Sequence, residues 1–203
     1  MAFAEILGAS SHKMKKIGFF GGTFDPIHFG HLFLAIQLAE HHRLDQVLIC
    51  PAFCSPFKQG EPPLASAKDR LEMVRLAVEE IPYMQVLSLE VESEKMCYTM
   101  DTIRSLPSAN YHLLLSEETA KSFMQWKEAD ELIRRASPLI GCRSEKISFA
   151  QDIPWLQKGF TRTKNMEISS TEIRSRLKNK LYCGHLVPAK ALDYIGRHRL
   201  YCL

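Results

Sequence analysis

The sequence predicts a doubly wound α/β fold, a mainly parallel sheet with helices on both faces. Three observations predict it. Short apolar runs alternate along the chain with helix-length segments, a glycine pair stands directly after the first run, and a proline-rich stretch follows the second. Such alternation builds β-α-β units whose strands pair in parallel, are covered on both sides, and present ligands at their carboxyl ends.

The first strand is the β-prone run 16–20, Lys-Ile-Gly-Phe-Phe. Gly21 and Gly22 after it are expected to take positive φ and let phosphates approach bare backbone. Asp25-Pro26 is expected to open a helix, because proline suits a first turn and an aspartate there accepts from free amides. Residues 32–40 are almost entirely apolar and predict a buried helix, followed by a strand at 46–50. Residues 51–67, with Pro51, Pro56, Pro62 and Pro63, form a loop beyond a strand's carboxyl end, where ligand loops belong. Leu71, Val74, Leu76 and Val78 give 68–80 a helical spacing, and 84–89 is strand-like. A short helix at 99–106, a strand at 111–115, a helix at 129–136 and a strand at 138–142 continue the alternation. Residues 165–168 are strand-like, a helix starts at Ser169, and residues 179–203, including 187–201, form a final helix on the body. The expected architecture is Rossmann-like.

Two hundred and three residues, 46% hydrophobic and 24% charged, suit one medium-sized domain with its own core. Residues 14–203 are expected to form it, with 1–13 as a loose leader. A net charge of +3 gives no footprint for extended nucleic-acid binding but leaves room for a local site for small phosphorylated ligands. No run approaches membrane-spanning length, and the opening apolar stretch is too short for a secretory signal. The six cysteines are scattered, several in apolar runs, which favours reduced, packed thiols and a cytoplasmic setting over zinc or disulfides.

Candidate chemistry gathers in two places. In 20–32, Phe-Gly-Gly-Thr-Phe-Asp-Pro-Ile-His-Phe-Gly-His-Leu, a strand end, a glycine turn and a helix start stand in sequence. His28 and His31 are three apart, so both can address a phosphate at that helix N-terminus, with Gly30 keeping the approach open. The second place is 168–174, Ile-Ser-Ser-Thr-Glu-Ile-Arg. Ser169 with Glu172 fits a capping box, which by itself accounts for both residues. The spare hydroxyls of Ser170 and Thr171, with Arg174 on the first turn, also make a good cradle for a triphosphate.

Residues 20–32 resemble the signature of nucleotidyltransferases carrying the motif His-x-Gly-His, here His28-Phe29-Gly30-His31, and the leading Gly-Gly-Thr-Phe-Asp-Pro narrows the resemblance to the nicotinate mononucleotide adenylyltransferases. Residues 168–174 resemble that family's Ile-Ser-Ser-Thr-x-Ile-Arg motif, about 140 residues further on, and residues 98–102 its Tyr-Thr-x-Asp-Thr segment. The resemblance implies transfer of the adenylyl group of ATP to nicotinate mononucleotide, a step of NAD synthesis, with Mg²⁺ carried largely by phosphates and water. It assigns His28 and His31 to catalysis. Gly21, Gly22, Thr23, Phe24, Glu118, Ser169, Ser170, Thr171 and Arg174 join them at ATP, while Asp25, Lys58, Tyr98, Thr99 and Trp126 hold the acceptor, Trp126 by stacking on the pyridine ring. No protein ligand to a metal is implied.

Two segments depart from the pattern. Where relatives usually have Gly-x-Asp, this chain has Ser116-Glu117-Glu118, so Glu118 would take over from the aspartate that holds the adenosine ribose. Where relatives commonly have Pro-His-Lys, it has Pro56-Phe57-Lys58. Three other readings stay open: a nucleotidyltransferase with another phosphorylated acceptor, a non-catalytic nucleotide-binding regulator that exploits these departures, and a zinc site built from His28, His31, His41 and His42.

Overall fold

The computed structural model describes residues 14–54, 62–142, 158–164 and 166–202. Six strands, β1 (Lys16–Gly22), β2 (Gln46–Pro51), β3 (Met84–Val86), β4 (Asn110–Ser116), β5 (Ala136–Cys142) and β6 (Phe160–Arg162), form one parallel sheet in the order β3-β2-β1-β4-β5-β6. This is the doubly wound order, in which chain direction across the sheet reverses between β1 and β4. The predicted fold class is the observed one.

Two cores lie against the two faces. Helices α1 (Phe29–His42), α2 (Ala67–Val78), α7 (Ser170–Lys178) and α8 (Ala189–Arg197) cover one, bringing Leu38, Val74, Ile173 and Ile195 together with Ile49 and Leu114 of the strands. On the other face, α4 (Thr99–Ser105), α5 (Glu117–Lys121) and α6 (Ala129–Arg135) pack Met100, Ile103, Ala120 and Leu132 against Phe19, Leu113 and Ile140. Strand alternation explains the sorting, since Leu113 and Leu115 point one way and Leu114 the other. The expected strand at 84–89 stops at Val86, and a short helix α3 (Leu89–Ser93) between β3 and α4 begins at its last residue, Leu89.

Three local expectations are corrected. Pro26 does not open α1. The Asp25 carboxylate accepts instead from the N–H groups of Leu64 (2.9 Å) and Ala65 (3.1 Å) and from the Tyr201 hydroxyl (2.7 Å), and His28 caps the helix. Gly21 and Gly22 stay in the strand, and the left-handed residue of the turn is Phe24, φ 49°. A Cβ at Gly22 would stand 2.8 Å from the Phe24 ring, so glycine is needed there for packing rather than for backbone freedom. Residues 166–168 add no strand, because the Ile168 N–H turns back to the Met166 carbonyl at 2.9 Å, and β6 takes the sheet edge.

Candidate active site

The β1–β2 ladder runs to the pair Gly22 and Pro51, and β4–β5 to Ser116 and Gly141, but β1 and β4 stop pairing at Phe19 and Leu113. The sheet therefore splits at its carboxyl edge where the strand order reverses, which is where open α/β sheets bind ligands. A cavity of about 650 Å³ fills the split. Gly21, Gly22, Thr23, Phe24 and His31 line it from the β1 side, Tyr98 and Thr99 from α4, and Glu118 and Trp126 from the segment after β4. Nine residues singled out from the sequence thus meet in one crevice.

His28 is buried at 5% exposure and its side chain caps α1, the Nδ1 atom accepting from the His31 N–H at 3.3 Å. Burial pushes its pKa down to about 4, so the ring is neutral at pH 7. An accepting Nδ1 leaves the proton of the neutral ring on Nε2, where it can be donated. The His31 imidazole stacks on that of His28, with centroids 3.6 Å apart and planes 22° from parallel, and meets the edges of Phe24 at 5.1 Å and Phe20 at 6.2 Å. A Cβ at Gly30 would lie 3.0 Å from His28 Nδ1, so the glycine clears room for the capping ring.

The second motif arrives beside the first. Ser169 caps α7 by accepting from the Glu172 N–H at 3.1 Å, the Ser170 hydroxyl donates to the Pro26 carbonyl at 2.9 Å, and Arg174 Nη1 donates to the Asp25 carbonyl at 2.7 Å. Arg174 Nη2 reaches the Thr171 hydroxyl at 3.3 Å. The N-termini of α1 and α7 therefore converge on the turn 25–30, although Ser169, Ser170, Thr171 and Arg174 do not line the cavity itself. Two helix dipoles and their open N–H groups favour anions at such a junction.

At the far wall, Trp126 packs on Phe123 with centroids 5.1 Å apart, and Lys127 Nζ sits 4.9 Å from the Tyr98 ring centroid while donating to Asp101 at 2.9 Å. Sequence reasoning missed Lys127 and Glu90. Glu90 lines the cavity at 6% exposure, accepts from the Thr102 hydroxyl at 2.7 Å, and has its pKa raised by burial. A glutamate between Leu89 and Val91 carries no local sign of such burial. Lys58, with Phe57, lies outside the described residues. His41 and His42 end α1, about 20 Å along the helix from His28 at 1.5 Å per residue, so these four histidines cannot share a metal. Among the described residues no three carboxylate, histidine or cysteine side chains gather as a metal site, no helix is long and apolar enough to cross a membrane, and the six cysteines are free thiols.

Residues 19–176 match the family model described as cytidylyltransferase-like. A Dictyoglomus thermophilum protein named "Probable nicotinate-nucleotide adenylyltransferase" is 38% identical over 196 residues, covering 92% of this chain and 99% of its own length. The chain belongs to the nicotinate-nucleotide adenylyltransferase family. A relative of the same name from Methylacidiphilum infernorum is 33% identical over 195 residues, covering 92% of each chain. In fold, the chain resembles the Plasmodium falciparum nicotinic acid mononucleotide adenylyltransferase in its complex with NaAD, at a TM-score of 0.72 and 20% identity over 92% of this chain and 97% of that one. The nicotinate-nucleotide adenylyltransferase family thus supplies both the sequence relatives and the architecture.

Proposed function

We propose that the chain transfers the adenylyl group of ATP to nicotinate mononucleotide, forming nicotinate adenine dinucleotide and releasing pyrophosphate. The observation that carries this reading is the neutral His28 stacked on His31 at the start of α1, beside the crevice at the sheet's reversal point, in a chain of this family.

The acceptor's phosphate oxygen attacks the α-phosphorus of ATP in line, one P–O bond forming as the bond to the pyrophosphate bridge breaks. A phosphomonoester has a second pKa near about 6, so it is already ionised at neutral pH and needs little from a general base. Catalysis is then positioning and charge stabilisation. His28 through Nε2–H, together with His31, donates to the ATP phosphates as charge develops. Gly21, Gly22, Thr23 and Phe24 give the nucleotide a backbone wall, Glu118 reaches the ribose, and Ser169, Ser170, Thr171 and Arg174 bring the second helix terminus to the triphosphate. Tyr98, Thr99 and Trp126 hold the pyridine nucleotide with Lys58. Asp25 serves the acceptor side by fixing the turn, since protein donors engage its carboxylate. Mg²⁺ enters with ATP as part of the substrate complex, its ligands being phosphates and water. Residues 14–203 act as one domain, and free thiols suit the cytoplasm as its setting.

The test is pyrophosphate release from ATP and Mg²⁺ with nicotinate mononucleotide, nicotinamide mononucleotide or phosphopantetheine as acceptor. Selective turnover of the first supports the reading, and His31→Ala should lower kcat by about 10²- to 10³-fold, the cost of losing one donor to developing charge. Preference for another acceptor would reassign the substrate. ATP binding without turnover of any acceptor would make the chain a regulator.

A further inference from the structure

Arg70 of α2 is 1% exposed and is the bulkiest fully buried side chain among the described residues. Its guanidinium makes four hydrogen bonds, all to neutral carbonyls. Nη1 donates to Thr23 at 2.6 Å and Ala52 at 2.7 Å, Nη2 to Phe53 at 2.8 Å, and Nε to Ala65 at 3.3 Å. No carboxylate among the described residues lies within ion-pair distance of it. Burying a charge without a paired anion is costly, and a hydrophobic side chain would ordinarily fill such a position more favourably.

The acceptors show what the cation achieves. Thr23 belongs to the turn after β1, Ala52 and Phe53 to the exit from β2, and Thr23, Phe24 and Ala52 line the crevice. In a trans peptide the N–H points opposite to the C=O. Holding the carbonyls of Thr23 and Ala52 on Arg70 therefore turns the N–H groups of Phe24 and Phe53 away from it. Neither N–H has an internal acceptor among the described residues. Two outward N–H groups at adjacent strand exits over a buried cation suit an oxyanion, as fixed dipoles around a positive charge do. The wider electrostatics agree. Arg174 lies 3.9 Å from the Asp25 carboxylate, and Asp25 is near enough to act on Arg70, so two cations and one carboxylate leave a net positive charge under the turn.

We propose that Arg70 is a positioning residue for phosphate. It aims the peptide N–H groups after β1 and β2 into the crevice, and its charge is completed by the phosphate of a bound nucleotide. This rests on the phosphate-handling reading of the crevice given above.

The experiment is calorimetric titration of the full chain and its Arg70→Met and Arg70→Lys variants with ATP against adenosine and with nicotinate mononucleotide against its riboside. Circular dichroism verifies the fold of each. Arg70→Met should weaken both phosphorylated ligands by about tenfold or more, the worth of hydrogen bonds to a charged group, and leave the unphosphorylated partners within about twofold. Arg70→Lys keeps the charge but not the four-carbonyl fork, and should show a smaller loss in the same ratio. Equal weakening of both ligand classes, which leaves the ratio unchanged, would make Arg70 merely structural and overturn the proposal, as would unchanged affinity for all four ligands. If Arg70→Met does not fold, the ratio in Arg70→Lys decides alone. A wild-type chain with no preference for phosphorylated ligands would instead overturn the reading of the crevice.

Discussion

The imidazoles of His28 and His31 stack 3.6 Å apart while the His31 backbone N–H donates to His28 Nδ1. One ring thus caps the start of α1 and supports its neighbour at once. Because His28 is buried and its pKa falls from 6.5 to about 4, the unfolded chain binds a proton there between those values that the folded chain refuses. Stability contributed by this group is complete above pH 6.5 and declines as the pH falls towards 4, by about 2–3 kcal/mol at pH 4.5. Urea unfolding at pH 7 and pH 4.5 should show a larger loss for wild type than for His28→Asn. Equal losses would sink the assignment of a neutral His28.

Gly30→Ala should separate stability from activity. An alanine is the better helix former by about 1 kcal/mol, yet its Cβ would stand 3.0 Å from His28 Nδ1 and 3.1 Å from Cε1. Thermal stability is expected to change little while kcat falls by about tenfold or more, because a small misplacement of a donor is costly to a reaction that depends on positioning. Full activity in this variant would show that the ring's placement is not critical.

Trp126→Ala should raise the KM for the acceptor by about tenfold and leave the KM for ATP nearly unchanged. The indole packs on Phe123 at the wall of the crevice formed with Tyr98, away from the helix termini that converge on the turn 25–30. Removing a stacked aromatic costs about 1–3 kcal/mol per base by analogy with nucleic-acid platforms. A parallel rise in both constants would place Trp126 in the scaffold instead.

Tyr201→Phe removes one donor from the buried Asp25 carboxylate, a bond of 2.7 Å. Unfolding free energy should drop by about 1–3 kcal/mol. Chemical denaturation measures it directly, and a loss under 0.5 kcal/mol (about the scale of a neutral surface change) would mean that the Leu64 and Ala65 amides suffice.

What could be read in advance was local. β1, β2 and β4 are apolar runs, α1 and α7 carry their caps within four residues, and the His28 to His31 spacing is fixed by the helix itself. What could not be read depends on distant partners. Asp25 looked like a helix opener because its real donors, at Leu64, Ala65 and Tyr201, lie 39, 40 and 176 positions away. Phe24 gave no sign of its left-handed backbone, since aromatic residues rarely adopt it. β6 is three residues long, too short to show a period. Arg70 reads as one more polar residue on an amphipathic helix, and only the folded chain reveals four carbonyls waiting for it.

The bond between Tyr201 and Asp25 also sets an order of events during synthesis. The ribosome delivers the β1 turn early, and the domain's amino-terminal units can begin to fold as they emerge. The Arg174 side chain that braces the turn and the turn's last donor come 149 and 176 positions after Asp25. A nascent chain that has not yet delivered Arg174 and Tyr201 therefore holds both histidines without the brace beneath them, and competence waits for those residues.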